Sequence, residues 1–172
     1  TQDHPRNGGT VKTIVGNLGE RGVSLSNVWR VGSTTFDFGL TAFSSDGQSR
    51  WIPIDFAGLA GVTHNRSTRQ DFSLKVSDPR GLNIFVQHVH GGREGYLGYY
   101  GNVNDQTFFH RTNDLVSVKY NKEFPNRSEG SINVFFNRFY DQEITQAARP
   151  GAAFLNGVTY PLGATEEDIS KD

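Results

Sequence analysis

Between Thr35 and Ala42, apolar and polar side chains change places at every residue. Phe36, Phe38, Leu40 and Ala42 lie on one side; Thr35, Asp37, Gly39 and Thr41 lie on the other. A period of two is the mark of a β-strand with one apolar and one polar face. The pattern returns at Phe72, Leu74 and Val76, at Leu82, Ile84 and Val86, at Val116, Val118 and Tyr120, and at Ile132, Val134 and Phe136. Turn-forming residues separate these runs: Asp46-Gly47, the segment Ser77 to Gly81 with Pro79, and residues 121–130 with Pro125. No long helical pattern intervenes. The spacing predicts an all-β, antiparallel fold, a two-sheet β-sandwich or jelly roll. It predicts a single domain over residues 1–172, with a loose leader at 1–10 and a mobile acidic tail at 164–172.

Several local expectations follow. Val11 to Val15 reads as a short strand. After the Asp46-Gly47 turn, Trp51 to Phe56 reads as the return strand, at a sheet edge because Pro53 lacks a ladder donor. That hairpin would set Asp37 opposite Asp55. Glu143 to Ala148 reads as a turn of helix ended by Arg149-Pro150-Gly151. Val158 to Tyr160 reads as a last short strand.

Composition removes several function classes. The formal net charge is -1 and the pI is near 6.5. No basic stripe appears, so nucleic acid is not an expected partner. Cysteine is absent, which excludes a disulfide framework, a thiolate metal site and a cysteine nucleophile. No apolar run reaches the length of a membrane-spanning helix. Alternating strands also suit a small transmembrane barrel. The mean hydropathy of -0.52 and the polar C-terminal segment argue against one, so no membrane span is expected. The Gly-, Asn-, Ser- and Thr-rich composition points to a secreted or cell-surface protein. Asn65-Arg-Ser67 and Asn126-Arg-Ser128 would be glycan acceptors in a eukaryotic host. No nucleophile elbow, phosphate loop or dinucleotide fingerprint occurs, and no catalytic residue is assigned.

Chemistry-bearing side chains gather between Gly81 and Gly101. By parity His88 and His90 share a face with Leu82, Ile84 and Val86, and a His-x-His pair on a strand can hold one metal ion. Gly91-Gly92 reads as a turn, after which Glu94 can fold back as a carboxylate ligand. His110 or His64 is a candidate fourth ligand. His88-x-His90-x-x-x-Glu94 followed by Gly101 resembles the first motif of the cupin family, with Gly81 near that family's leading glycine. The resemblance covers Gly81 to Gly101, and the family's second motif has no counterpart. It implies a small β-barrel and a metal-dependent enzyme with a transition metal on His88, His90 and Glu94. Without it, no cofactor is expected.

Arg93, Tyr96, Tyr99 and Tyr100 precede Asn102 and Asn104. Tyrosine rings beside amides suit sugar or protein recognition, because the ring packs on apolar surface while the polar groups take hydroxyls. These six residues are the expected ligand-binding surface. The sequence thus predicts an exported or surface-displayed module for adhesion or carbohydrate recognition, with a glycan or cell-surface protein as partner. The cupin-like metalloenzyme is one alternative. Another is self-assembly as a subunit of a pilus or capsid, through strand exchange at the Trp51–Phe56 edge and the N-terminal segment.

Overall fold

The structure is a computed structural model. It describes residues 7–95, 103, 107–125, 128–148, 150–153, 159–160 and 163–171. Among these there are strands and no helix: β1 (Gly8–Val15), β2 (Arg21–Val31), β3 (Thr34–Ser45), β4 (Arg50–Ile52), β5 (Gly61–Thr63), β6 (Ser67–Ser77), β7 (Leu82–Glu94), β8 (Phe108–Glu123), β9 (Glu129–Ala148), β10 (Ala152–Ala153), β11 (Thr159–Tyr160) and β12 (Ala164–Lys171). The class expected from alternation, all-β and antiparallel in a single β domain, is the class observed. Eight strands form one sheet in the order β1-β2-β3-β6-β7-β8-β9-β12; β4 pairs with β5, and β10 with β11. The large sheet is therefore a simple up-and-down meander. The two small sheets sit in its connections.

Cross-strand register turns the sequence alternation into two faces. One face carries the row Phe38, Leu74, Val86, Val116 and Phe136, and beside it the row Trp29, Phe36, Val76, Ile84, Val118 and Val134. The opposite face carries Ser26, Ser73, Gln87 and Asn137 in one row and Arg30, Thr35, Ser77, Asn83, Lys119 and Asn133 in another. Leu115 in the first of these rows, and Val28, Phe43, Phe85, Val89, Phe109, Phe135 and Phe139 elsewhere, interrupt this polar face without forming a continuous apolar one. Trp29 stacks on Phe36 at 5.2 Å, and Phe38 meets Phe72 edge-on at 5.7 Å, as quadrupolar rings prefer.

Among the described residues neither face is covered as a sandwich core would be. Among the described residues the buried apolar side chains are Val103, Ala148 and Ala152. On β9, Ile132, Val134 and Phe136 of the apolar face are 67%, 65% and 60% exposed. Taking a side chain of this size out of water is worth ~1.5–3 kcal/mol. A face of such residues left in water forfeits an amount comparable to the net stability of a whole domain, ~5–15 kcal/mol.

The apolar band also climbs across the sheet. On β1 it is centred on Thr13, between Val11 and Val15; on β9 it is centred on Val134. The register row through Thr13 meets β9 at Tyr140, six residues from Val134, after six steps between strands. One residue per strand is a rise of ~3.3 Å for each lateral step of ~4.8 Å, a slope of roughly 35°. Strands in closed barrels tilt by about this much.

Connections differ between the two ends. At one end two residues separate Val31 from Thr34, four separate Ser77 from Leu82, and five separate Glu123 from Glu129. At the other, 21 residues lie between Ser45 and Ser67, 13 between Glu94 and Phe108, and 15 between Ala148 and Ala164; only the β1–β2 turn is short, at five. At the short-turn end Asp78 ties two turns together. It accepts from Arg80 Nε at 2.9 Å and from Thr34 Oγ1 at 2.8 Å. Hydrogen bonds from Arg80, then from Thr34, hold its carboxyl below the usual carboxylate range. A carboxyl depressed in this way stabilises the turn above its ordinary range and loses that effect as the pH falls through its folded value.

Some local expectations change. Gly8 to Thr10, expected in a loose leader, opens β1, and Ala164 to Lys171, expected as a mobile tail, pairs with β9. Backbone pairing outweighs the polar composition of both segments. Trp51 does not return along β3. β3 pairs with β2 and β6, while Trp51 joins the short β4–β5 hairpin, and β4 stops before Pro53. Asp37 consequently faces Lys75, not Asp55. Glu143 to Ala148 is no helical turn but the end of β9. Gly91-Gly92 is not a turn either. It lies inside β7, where a Cβ on Gly92 would come within 3.1 Å of Thr68 Oγ1, so the missing side chain of Gly92 leaves room for the Thr68 hydroxyl.

Candidate functional site

The apolar face ends abruptly toward the long connections. One row beyond Val86, Val116 and Phe136 stand His88, Asp114 and Arg138, two residues further along β7, β8 and β9. His88 Nδ1–H donates to Asp114 Oδ1 at 2.5 Å, and Arg138 Nε donates to Asp114 Oδ2 at 2.9 Å. The next row holds Gln70, His90, Thr112 and Tyr140. His90 Nδ1 and Thr112 Oγ1 share a hydrogen bond at 2.9 Å. Lys171, at the end of β12, is opposite Tyr140 and holds its ammonium 5.5 Å from the ring centre. The result is a polar rim of imidazoles, hydroxyls and cations on the same face as the apolar band. An open groove of about 540 Å³ in this rim is lined by Thr112, Arg138, Phe139, Tyr140 and Lys171.

Above the rim, at the bases of the long connections, polar groups are buried. Asp55 is 7% exposed. Its carboxylate accepts from the backbone N–H groups of Ala57 at 2.9 Å, Leu59 at 2.8 Å and Val103 at 3.0 Å. It fastens the β3–β6 connection to the β7–β8 connection. Thr107 Oγ1 accepts from the Gln146 N–H at 2.8 Å, and Gln146 is 1% exposed. Burial is affordable there because the polar atoms find partners. A cleft of about 320 Å³ opens beside them, lined by residues including Arg66, Arg93, Glu94 and His110.

The residues expected from sequence are distributed as follows. His88 and His90 share the apolar face, as parity required, and Glu94 joins them because β7 runs on through Gly91-Gly92 instead of turning, but each is engaged separately. His88 holds Asp114, His90 holds Thr112, and Glu94 lies 3.6 Å from Arg66. Among the described residues no group of three His, Asp or Glu is placed to hold a metal ion. His110 lies near His90, with ring centres 5.9 Å apart, whereas His64 is bonded to Ser49 Oγ at 3.1 Å. Because that face is bare, the imidazoles point toward its surroundings and not into a core. Arg93 lies on the opposite face, level with Ser67 and Phe109. Tyr96, Tyr99, Tyr100, Asn102 and Asn104 lie outside the described residues. The groups missed from sequence are Asp114, Arg138, Tyr140 and Lys171. For Arg138 and Tyr140 a signal was present in β9, where the series Ile132, Val134, Phe136 continues at the same parity into both.

Among the described residues no helix is long and apolar enough to cross a membrane. Comparison with protein-family models, with curated proteins and with solved structures finds no match, so the functional argument rests on geometry.

Proposed function

We propose that the large sheet is part of the wall of a membrane-spanning β-barrel, with its apolar face against lipid and its long connections displayed for recognition on one side. The observation that carries this reading is an exposed apolar face, interrupted by Thr13 on β1 and Asn27 on β2, backed by a mostly polar one. Lipid-facing barrel walls alternate apolar-out and polar-in, with short turns at one rim and long loops at the other. Strands of 11 to 20 residues, as in β2, β3 and β6 to β9, exceed the ~9–11 needed to span a bilayer. The slope of the apolar band supports the same reading. The expectation of no membrane span stands for helices among the described residues; the proposal concerns strands, and a barrel wall, half polar by construction, has a low mean hydropathy.

Hydrocarbon tolerates no unpaired backbone edge. The outer edge of β1, and of β9 below Tyr140, has no partner strand among the described residues. The proposed wall therefore needs a partner at both edges, which further copies of the same chain can supply on insertion. Ligand recognition belongs at the long-connection end, where Arg93, Tyr96, Tyr99, Tyr100, Asn102 and Asn104 cluster along the chain. A glycan or a cell-surface protein remains the expected partner class.

The test is folding with and without a bilayer. The chain, refolded from urea, is expected to gain full strand signal and float with phosphatidylcholine vesicles, and to aggregate in buffer alone. A soluble monomer that unfolds cooperatively without detergent or lipid would end the proposal. Tyr99→Ala is expected to abolish ligand binding on a glycan array while leaving flotation intact.

A further inference from the structure

Resting on the lipid-facing reading above, we propose that the groove between β8, β9 and β12 binds the phosphate headgroup of an anionic lipid whose acyl chain lies along β9. Arg138 and Lys171 line this groove together with the hydroxyl-bearing Thr112 and Tyr140. Two of Arg138's donors, Nε and Nη2, are spent on Asp114. The rest of its guanidinium is open, on a side chain 65% exposed. Lys171 contributes three donors with the Tyr140 ring beneath them. Asp114 is matched by Arg138 and held by His88. Glu167, the nearest carboxylate on the same face of β12, is held by Gln142 at 2.6 Å. Among the described residues Lys171 has no carboxylate partner. A tetrahedral anion with several acceptor oxygens suits a guanidinium, an ammonium and two hydroxyls lining one groove.

The lipid source follows from what lies next to these cations. Phe136, Val134 and Ile132 continue from Arg138 along the same face of β9, each two residues further from the rim, and all are at least 60% exposed. Steps of two residues are ~6.6 Å, so the apolar residues Phe136 to Ile132 form a track of ~13 Å that begins one step from Arg138, long enough for part of an acyl chain. A free phosphate would use the cations and leave the track bare. An amphiphile covers both.

The experiment floats the whole chain with vesicles of phosphatidylcholine alone, or doped with phosphatidic acid, or doped with oleate at equal charge. Lipid retained after exchange into detergent is then measured. Phosphatidic acid is expected to be retained in preference to both. Arg138→Gln and Lys171→Gln should each lower its retention by about tenfold, the scale of one charged hydrogen bond. Lys171→Gln leaves the Asp114–Arg138 pair intact, so its effect is not one of misfolding. Equal retention of oleate, or retention unchanged in Lys171→Gln, would overturn the assignment. Saturable binding of inorganic phosphate at lipid-like affinity in phosphatidylcholine nanodiscs would overturn the lipid source. Failure to float with phosphatidylcholine would instead count against the wall itself, so the two readings fail separately.

Discussion

The two faces of the large sheet are made from alternate residues of the same strands, yet they carry opposite chemistry. Leu74 and Ser73 are neighbours in β6; one joins a row with Phe38, Val86, Val116 and Phe136, the other with Gly39, Gln87, Leu115 and Asn137. On the polar face charges meet charges: Arg111 donates to Asp141 at 2.8 Å and Arg69 to Asp71 at 2.6 Å. Among the described residues, ionic partners on the apolar face appear beyond the band, at His88, Asp114 and Arg138 and at Glu94 with Arg66. A sheet in water needs one covered face and one wet one. Here the face that should be covered is bare, and the buried groups sit at the bases of the long connections instead. The difference teaches that a missing core can be a statement about the solvent rather than about stability.

The sharpest way to break the comparison is a charge placed on each face. Leu74→Arg puts a cation in the middle of the apolar band, and about 2–4 kcal/mol of bilayer stability should be lost. Urea titration of the vesicle-inserted chain measures this. Asp55→Ala addresses the connections. It strips a buried acceptor from three N–H groups, at ~1–3 kcal/mol for groups left unpaired. Limited proteolysis should then cut within residues 46–66, while flotation is unchanged. Gln87→Arg, on the polar face one strand from Leu74, should change stability by less than ~0.5 kcal/mol in the same urea titration. If Gln87→Arg proved as damaging as Leu74→Arg, the two faces would not differ in solvent.

Much of this was legible in the chain. The alternation at Phe36 to Ala42, at Phe72 to Val76 and at Ile132 to Phe136 placed the strands and sorted their faces. Parity also put His88 and His90 together correctly. Pairing was harder to read. Asp46-Gly47 looked like a hairpin turn, and Gly47 does adopt a φ of 68°, but β3 finds its partner only after the inserted β4–β5 hairpin. Gly91-Gly92 looked like a turn because glycine marks both turns and close strand contacts, and only the neighbouring Thr68 decides between them. The candidate site was read from one strand, whereas the groove draws on β8, β9 and β12. Lys171 lies 31 residues from Tyr140 in sequence and becomes its neighbour only through the β9–β12 register.

The chain's two tryptophans offer the most direct test of what surrounds the apolar face. Trp29 lies on that face against Phe36, whereas Trp51, 63% exposed, sits in the hairpin among the long connections. Trp51→Phe and Trp29→Phe leave one reporter each, to be inserted into vesicles whose lipids carry bromine on the acyl chains. Strong quenching of Trp29 with little quenching of Trp51 is the predicted result. Trp29 emission indifferent to the bromines, in protein that has retained its strand signal, would contradict the account.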